Sequence, residues 1–150
     1  LIRGICCIRP GISGKTENIR VESIVGRFLE HSRIYAFGVG DDTEIYISSA
    51  DMMTRNTRRR VEVAAPIYDP RLKQRILKMI NVMKQDNIQA QVLLSNGEYT
   101  TKKKREDNMN SQIHFLNEAK RLAPKEKTQK QNLFYQVKGI FFGKKKLRKK

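Results

Sequence analysis

The sequence has no tryptophan, only two cysteines and only two histidines among its 150 residues. The cysteines, Cys6 and Cys7, are adjacent, and neighbours on an extended chain point to opposite faces, which disfavours a structural disulfide. No run approaches the ~20 apolar residues of a bilayer-spanning helix, and no secretory signal is present. Aromatic residues make up 7% of the chain, which argues against recognition of RNA by base stacking. A reducing compartment, the cytoplasm, fits this composition.

Charge is concentrated at one end of the chain. The formal net charge is +16. Residues 1–100 hold 15 Lys/Arg and 11 Asp/Glu, a balance of +4, whereas residues 101–150 hold 16 and 4, a balance of +12. Such a basic surface attracts polyanions: nucleic acid, an anionic membrane or phosphate chains. Charge alone does not choose among these partners.

Apolar periodicity and turn residues predict strands that alternate with helices. The Asp69-Pro70 pair predicts the start of the clearest helix, with Asp as N-cap and Pro at the first position. The pattern predicts an α/β fold with a mixed sheet flanked by helices. We expect strands at 1–8, 33–37, 44–48, 59–65 and 88–94, helices at 21–29, from 70 and within 108–122, and a basic, poorly ordered tail at 124–150.

The most suggestive chemical constellation is built around His31. His31 lies between a predicted helix and a predicted strand, and Arg33 follows two positions later. The second strand of the predicted hairpin returns beside this pair and is followed by further polar residues, Ser48-Ser49-Ala50-Asp51, Asn56 and Arg60-x-Glu62. Phosphate chemistry uses these residue types, because an imidazole acts as nucleophile or general acid, a cation offsets developing negative charge, and polar groups orient the ring. His114, on the predicted terminal helix, reads as a surface or packing residue.

The order of these motifs resembles a known family. His-x-Lys followed by Gly-Ser-x-Asn is the signature of the phospholipase D superfamily. Arg33 in place of Lys and Ser48-Ser49-Ala50-Asp51 as the second element resemble one branch of it, the C-terminal domain of polyphosphate kinases. Further blocks that resemble this domain are residues 2–7 (IRGICC), 17–21 (ENIRV), 23–34 (SIVGRFLEHSRI), 55–56 (RN), 60–63 (RVEV) and 69–70 (DP).

The resemblance implies a phospholipase-D-like domain fragment and a reaction, the reversible transfer of the terminal phosphate of ATP to polyphosphate with magnesium. In the family the transfer passes through a phosphohistidine in a preceding domain, so the phosphorylated residue and the Mg²⁺ ligands are expected outside this chain. His31 corresponds to a second essential histidine in the nucleotide site. Arg3 corresponds to an arginine that contacts the nucleotide. The predicted site is therefore catalytic His31 with ATP bound by Arg3 and His31.

The resemblance also implies the surroundings of the site. The partners would be ATP or ADP, inorganic polyphosphate, upstream domains of the same polypeptide and further copies in a homo-oligomer. We expect residues 1–101 to form an N-terminally truncated catalytic domain and residues 102–150 a terminal helix with a Lys-rich tail. The location would be the cytoplasm, with peripheral attachment to the inner membrane left open.

Two other functions compete with this one. A non-enzymatic module on the same scaffold would bind RNA or another polyanion through the basic tail. A phosphodiesterase of the phospholipase D type is disfavoured, because Arg33 stands where that signature has Lys. A P-loop at Ser13-Gly14-Lys15-Thr16 is also disfavoured, because Arg9 stands where the motif needs its first glycine.

Overall fold

The structure, a computed structural model, describes residues 1–3, 6–102 and 107–124. The chain divides into two compact units, Leu1–Leu116 and Asn117–Lys150. The described part of the second unit, residues 117–124, holds the end of the last helix. The predicted basic tail lies outside the described residues except for Pro124. No helix in the described ranges is both long and apolar enough to cross a membrane.

Within the described ranges, six strands and three α-helices alternate along the chain. In chain order they are β1 (Glu22–Ile24), β2 (Ile34–Phe37), β3 (Glu44–Ser48), α1 (Thr54–Arg59), β4 (Ala64–Pro66), α2 (Pro70–Gln85), β5 (Ala90–Leu93), β6 (Tyr99–Thr101) and α3 (Ser111–Leu122). The strands form two antiparallel sheets, ordered β1-β5-β6 and β2-β3-β4. The expected combination of helices and strands is thus present, although the described strands are divided between two antiparallel sheets and not gathered in one mixed sheet.

The prediction of a helix at 21–29 is wrong, because this segment contains the strand β1. Val21 and Ile24 are both 3% exposed, whereas Leu29, on the supposed apolar stripe, is 68% exposed. Pairing with β5 explains the strand: Ser23 lies opposite Gln91, and the backbone N–H of Leu93 donates to Val21 O at 3.0 Å. Spacing of apolar residues alone does not reveal such a distant partner.

Two predicted strands also differ in extent. In the described part of 1–8 no strand forms, although Ile2 N–H donates to Glu22 O at 2.8 Å at the edge of β1. The strand predicted at 59–65 is reduced to β4. The reason lies at Val63, whose backbone N–H donates to the Ser49 side-chain hydroxyl at 3.1 Å. A side chain thereby occupies the place that a backbone carbonyl would take in a regular ladder.

The hairpin that precedes this region is confirmed as β2 and β3. Ile34 pairs with Ile47 and Phe37 with Glu44. The connection needs glycine, because Gly38 has φ +89° and an added Cβ there would lie 3.0 Å from Asp42 O. Ile45 on β3 is 1% exposed and is the largest apolar side chain fully buried in the described residues. This hairpin places the end of β3 beside the start of β2.

The capped helix is confirmed as α2. The Asp69 carboxylate accepts from Arg71 N–H at 2.8 Å, and Pro70 occupies the first turn. The helix ends at Gln85, and the residue that caps it, Asp86, is fully buried. After β5, the Asn96-Gly97 turn, with φ +92° at the glycine, reverses the chain into β6, a strand that was not predicted. The last helix, α3, lies within the predicted range.

Candidate active site

His31 lies in an irregular segment between β1 and β2 and is exposed to solvent. Arg33 follows immediately before β2, and its carbonyl accepts from Ser48 N–H at 2.9 Å. This bond joins the start of β2 to the end of β3. The hairpin therefore brings the His31-x-Arg33 element beside the Ser48–Asp51 element, as the sequence predicts.

The Arg33 guanidinium is held by Asp51. Nε donates to Oδ1 at 2.7 Å and Nη2 donates to Oδ2 at 3.1 Å, the two-pronged geometry that suits a guanidinium and a carboxylate. The hydrogen bond from Arg33 holds the pKa of Asp51 below its ordinary value, and the reciprocal bond raises that of Arg33. Both groups are thus charged at neutral pH. The Tyr35 hydroxyl donates to Ala50 O at 2.8 Å and fixes the backbone next to Asp51.

The free corner of the same guanidinium faces His31. Arg33 Nη1 lies 3.4 Å from Nδ1 and 3.3 Å from Nε2 of the imidazole. One nitrogen cannot lie in the ring plane at these two distances without overlapping the carbon between the ring nitrogens. Arg33 therefore lies over the face of the ring, the arrangement of a cation–π contact. The edge of the ring, with both nitrogens, is left for other contacts.

A second polar group surrounds Glu62. Its carboxylate accepts from the Ser49 hydroxyl and, at 2.6 Å, from Asn56 Nδ2. These hydrogen bonds hold the pKa of Glu62 below its ordinary value, and the bond from Ser49 has the largest effect. Asn56 is 4% exposed, and its Oδ1 is buried without a hydrogen-bond partner in the described structure. The sequence predicted that all these side chains surround His31. In the structure Asp51 instead pairs with Arg33, and Glu62 binds Ser49 and Asn56.

Arg3, the other predicted site residue, is exposed and lines a cavity of about 430 Å³. The wall combines cations and acids with apolar side chains from β1, β2 and α2. Glu30 and Ser32, on either side of His31, belong to the wall, and His31 itself does not. Charged members of the wall are Arg3, Arg20, Glu22, Glu30 and Lys84. Arg3 and His31 thus lie on neighbouring surfaces, and no hydrogen bond joins them in the described structure.

No group of three or more His, Cys, Asp or Glu side chains in the described residues is arranged to hold a metal ion. Asp51 and Glu62 are the acids of the site, and both already bind protein donors. The residues of this site therefore do not fit a magnesium site by themselves. Positive charge beside His31 comes from Arg33.

Comparison with known proteins gives one consistent family. The family model for the polyphosphate kinase C-terminal domain 2 matches residues 1–112. Polyphosphate kinase 1 of Chlorobaculum tepidum is 44% identical over 128 residues, covering 85% of this chain and 18% of the relative. The polyphosphate kinase of Synechocystis is 46% identical over 121 residues, covering 79% and 17%. That of Pseudomonas aeruginosa is 52% identical over 99 residues, covering 66% and 14%.

A solved structure supports the same comparison. The crystal structure of polyphosphate kinase from Porphyromonas gingivalis matches with a TM-score of 0.72 and 35% sequence identity. The match covers 80% of this chain and 19% of that chain, and it confirms the predicted fold class. The chain spans less than a fifth of the length of these relatives.

Proposed function

Because this chain belongs to the polyphosphate kinase family, we propose that the protein containing it transfers the terminal phosphate of ATP reversibly to a polyphosphate chain. The family match over residues 1–112 is the observation that carries the proposal. Residues 1–101 would supply one part of the catalytic site. The rest, including the phosphorylated histidine and the magnesium ligands, would come from other parts of the protein.

We assign His31 the catalytic role on this surface. The ring is exposed, and Arg33 covers one face of it while both nitrogen edges stay accessible. An imidazole in this position would donate a hydrogen bond or a proton to the oxygen that leaves with ADP. Charge on the transferred phosphate would be offset by the fixed Arg33 cation, in a reaction where positioning and charge stabilisation dominate.

We assign Arg3 to the nucleotide phosphates. Its guanidinium is exposed at a cavity wall that also holds the cations Arg20 and Lys84, with Glu22 paired to Arg20. A guanidinium is permanently charged and grips phosphate oxygens with two parallel hydrogen bonds. The same cavity has apolar residues from β1, β2 and α2, which suits the less polar parts of a nucleotide. The proposal also includes a location in the cytoplasm, with attachment to the inner membrane left open. It further includes assembly with other copies of the protein.

A second function, polyanion binding without catalysis, is favoured by one observation: residues 101–150 carry 16 basic and 4 acidic residues. Synthesis of polyphosphate from ATP and magnesium by the full-length protein distinguishes the two. Chains made by the wild type support the kinase. Failure to make chains, together with RNA or polyphosphate binding that weakens steeply with salt, supports the binding module.

A further inference from the structure

The segment that carries His31 has little hydrogen bonding of its own. Residues 25–33 belong to no helix or strand. Within the described residues, Phe28 is the one member of 26–32 whose backbone groups are hydrogen-bonded. Unpaired segments of this kind are loosely held unless a side chain takes the role of the missing backbone partner.

Gln112 takes that role. Its Oε1 accepts from Phe28 N–H at 3.1 Å, and its Nε2 donates to Phe28 O at 2.7 Å. The same Nε2 donates to Glu30 Oε1 at 2.8 Å, a bond strengthened by the carboxylate charge. One amide thus binds both backbone groups of Phe28, as a strand neighbour would, and the side chain next to His31.

The Gln112 amide is itself firmly placed. The residue is 5% exposed at the start of α3. The preceding Ser111 donates from its backbone N–H and its hydroxyl to Asp86 Oδ2, at 2.8 and 2.7 Å. Met109 N–H donates to Asn87 Oδ1 at 2.8 Å. The start of α3 is therefore tied to the end of α2, and Gln112 extends from this junction.

Gly26 allows the segment to approach Gln112. A Cβ at position 26 would lie 2.4 Å from Gln89 Oε1 and 2.5 Å from Gln112 Oε1. Both atoms are at the ends of side chains, so an added methyl group would displace the Gln89 and Gln112 amides. Glycine at position 26 thus lets the segment lie against both Gln89 and Gln112.

We propose that Gln112 is a positioning residue that holds the Phe28–Glu30 segment, and through it His31, in the orientation used for phosphate transfer. The inference rests on the proposed catalytic role of His31. Arg33 contacts the ring of His31, and the Gln112 amide holds the backbone that precedes His31. Gln112 touches neither the ring nor the reacting atoms.

The test uses the full-length protein and compares three single variants, Gln112→Leu, Gln112→Glu and Glu30→Gln. A double variant, Glu30→Gln with Gln112→Glu, exchanges the two residues. Gln74→Leu, an exposed glutamine on α2, is the matched control. Gln112→Leu loses all three bonds, and Gln112→Glu sets two carboxylates against each other. The exchange restores a donor–acceptor pair between positions 30 and 112, whereas the carboxylate at 112 still cannot donate to Phe28 O, so the rescue is partial.

Three quantities are measured: kcat for polyphosphate synthesis, hydrogen exchange of the Phe28 amide, and the rate at which diethyl pyrocarbonate modifies His31. We expect kcat to fall at least about 10-fold in both single Gln112 variants, which matches a small misplacement of a reacting group. Hydrogen exchange of the Phe28 amide should become faster in the same variants, and the rate at which His31 is modified should change. The exchange variant should recover several-fold in kcat, and Gln74→Leu should behave as wild type.

Unchanged Phe28 exchange in Gln112→Leu would overturn the inference, as would faster exchange with a normal kcat. The inference would also be overturned if the loss of kcat in the Gln112 variants equalled their loss of folded protein in a thermal melt and the double variant recovered no activity. If the wild type makes no polyphosphate, the proposed function fails, and the His31 modification rate alone decides whether Gln112 positions the ring.

Discussion

Arg33 and Asp51 form a two-pronged ion pair, at 2.7 and 3.1 Å, across the space between the start of β2 and the end of β3. The pair matters because the remaining corner of the guanidinium lies over the ring of His31. A carboxylate 18 residues along the chain thereby sets the position of the cation that faces the histidine.

The first prediction concerns Arg33→Lys. An ammonium group keeps the charge but cannot bind both Asp51 oxygens and face the ring at once. We expect kcat of the full-length protein to fall about 10- to 100-fold, with a smaller change in KM for ATP, because a misplaced charge costs most in the transition state. Steady-state kinetics measure this split. A normal kcat would show that the charge alone, and not its geometry, is what the site requires.

The second prediction concerns Arg3→Ala. Loss of a charged phosphate contact should raise KM for ATP about 10-fold or more, because hydrogen bonds to charged groups contribute about 1.5–3 kcal/mol. Arg9→Ala removes the same charge from an exposed residue whose guanidinium donates to Asn96 O at 3.4 Å, and it should leave KM unchanged. Equal effects of the two variants would reduce Arg3 to a contribution of general positive charge.

The third prediction concerns Gly26→Ala. The added methyl group should displace the Gln112 amide from Phe28 and lower kcat. In the Gln112→Ala background, where this amide is already absent, the added methyl group still meets Gln89 but no longer displaces Gln112, so Gly26→Ala should lower kcat less than it does in the wild type. A double-mutant cycle on kcat measures the coupling. Additive losses would mean that Gly26 and Gln112 act independently.

The fourth prediction concerns Asp86. Its Oδ1 accepts from the backbone N–H groups of Ile88, Gln89 and Ala90, and its Oδ2 accepts from Ser111. Asp86→Asn would set an amide NH₂ against these donors and should destabilise the fold by about 2–4 kcal/mol. Urea unfolding measures the loss. The control, Asp69→Asn, exchanges one good N-cap for another and should be nearly neutral.

The same carboxylate predicts a response to acid. Burial acts to raise the pKa of Asp86, but hydrogen bonds from Gln89, Ser111 and Ile88 outweigh it and hold the pKa below its ordinary value. Its contribution to stability is thus complete above the unfolded pKa of about 3.9 and is lost as pH falls through the lower folded value. Unfolding curves from pH 6 to pH 2 should show this loss in the wild type and a flatter response in Asp86→Asn. Parallel curves would contradict the assignment.

Local signals made part of the fold predictable. Asp69 and Pro70 define the start of α2 because a cap and a proline act within one turn. The β2–β3 hairpin followed from alternation around a glycine-containing turn. The segment at 21–29 was misread because β1 depends on pairing with β5, about which the local apolar pattern carries no information.

The site was predictable to a similar degree. His31, Arg33 and Asp51 were recognised by motif order, and the structure brings them together. The pairing of Asp51 with Arg33, and not with the ring, depends on the geometry at the ends of two strands. Gln112 lies 84 residues from Phe28, and a glutamine at the start of a helix carries no local signal of its contact. Only the folded chain reveals it.

The most direct measurement is the rate of polyphosphate synthesis from ATP and magnesium by the full-length protein, comparing wild type, His31→Ala and His114→Ala. His114 is the other histidine of the chain and packs edge-on against Phe115 at 5.6 Å, so it is a matched control. We expect wild type and His114→Ala to make chains at similar rates and His31→Ala to make almost none. Normal synthesis by His31→Ala would show that His31 is not the catalytic residue of this site.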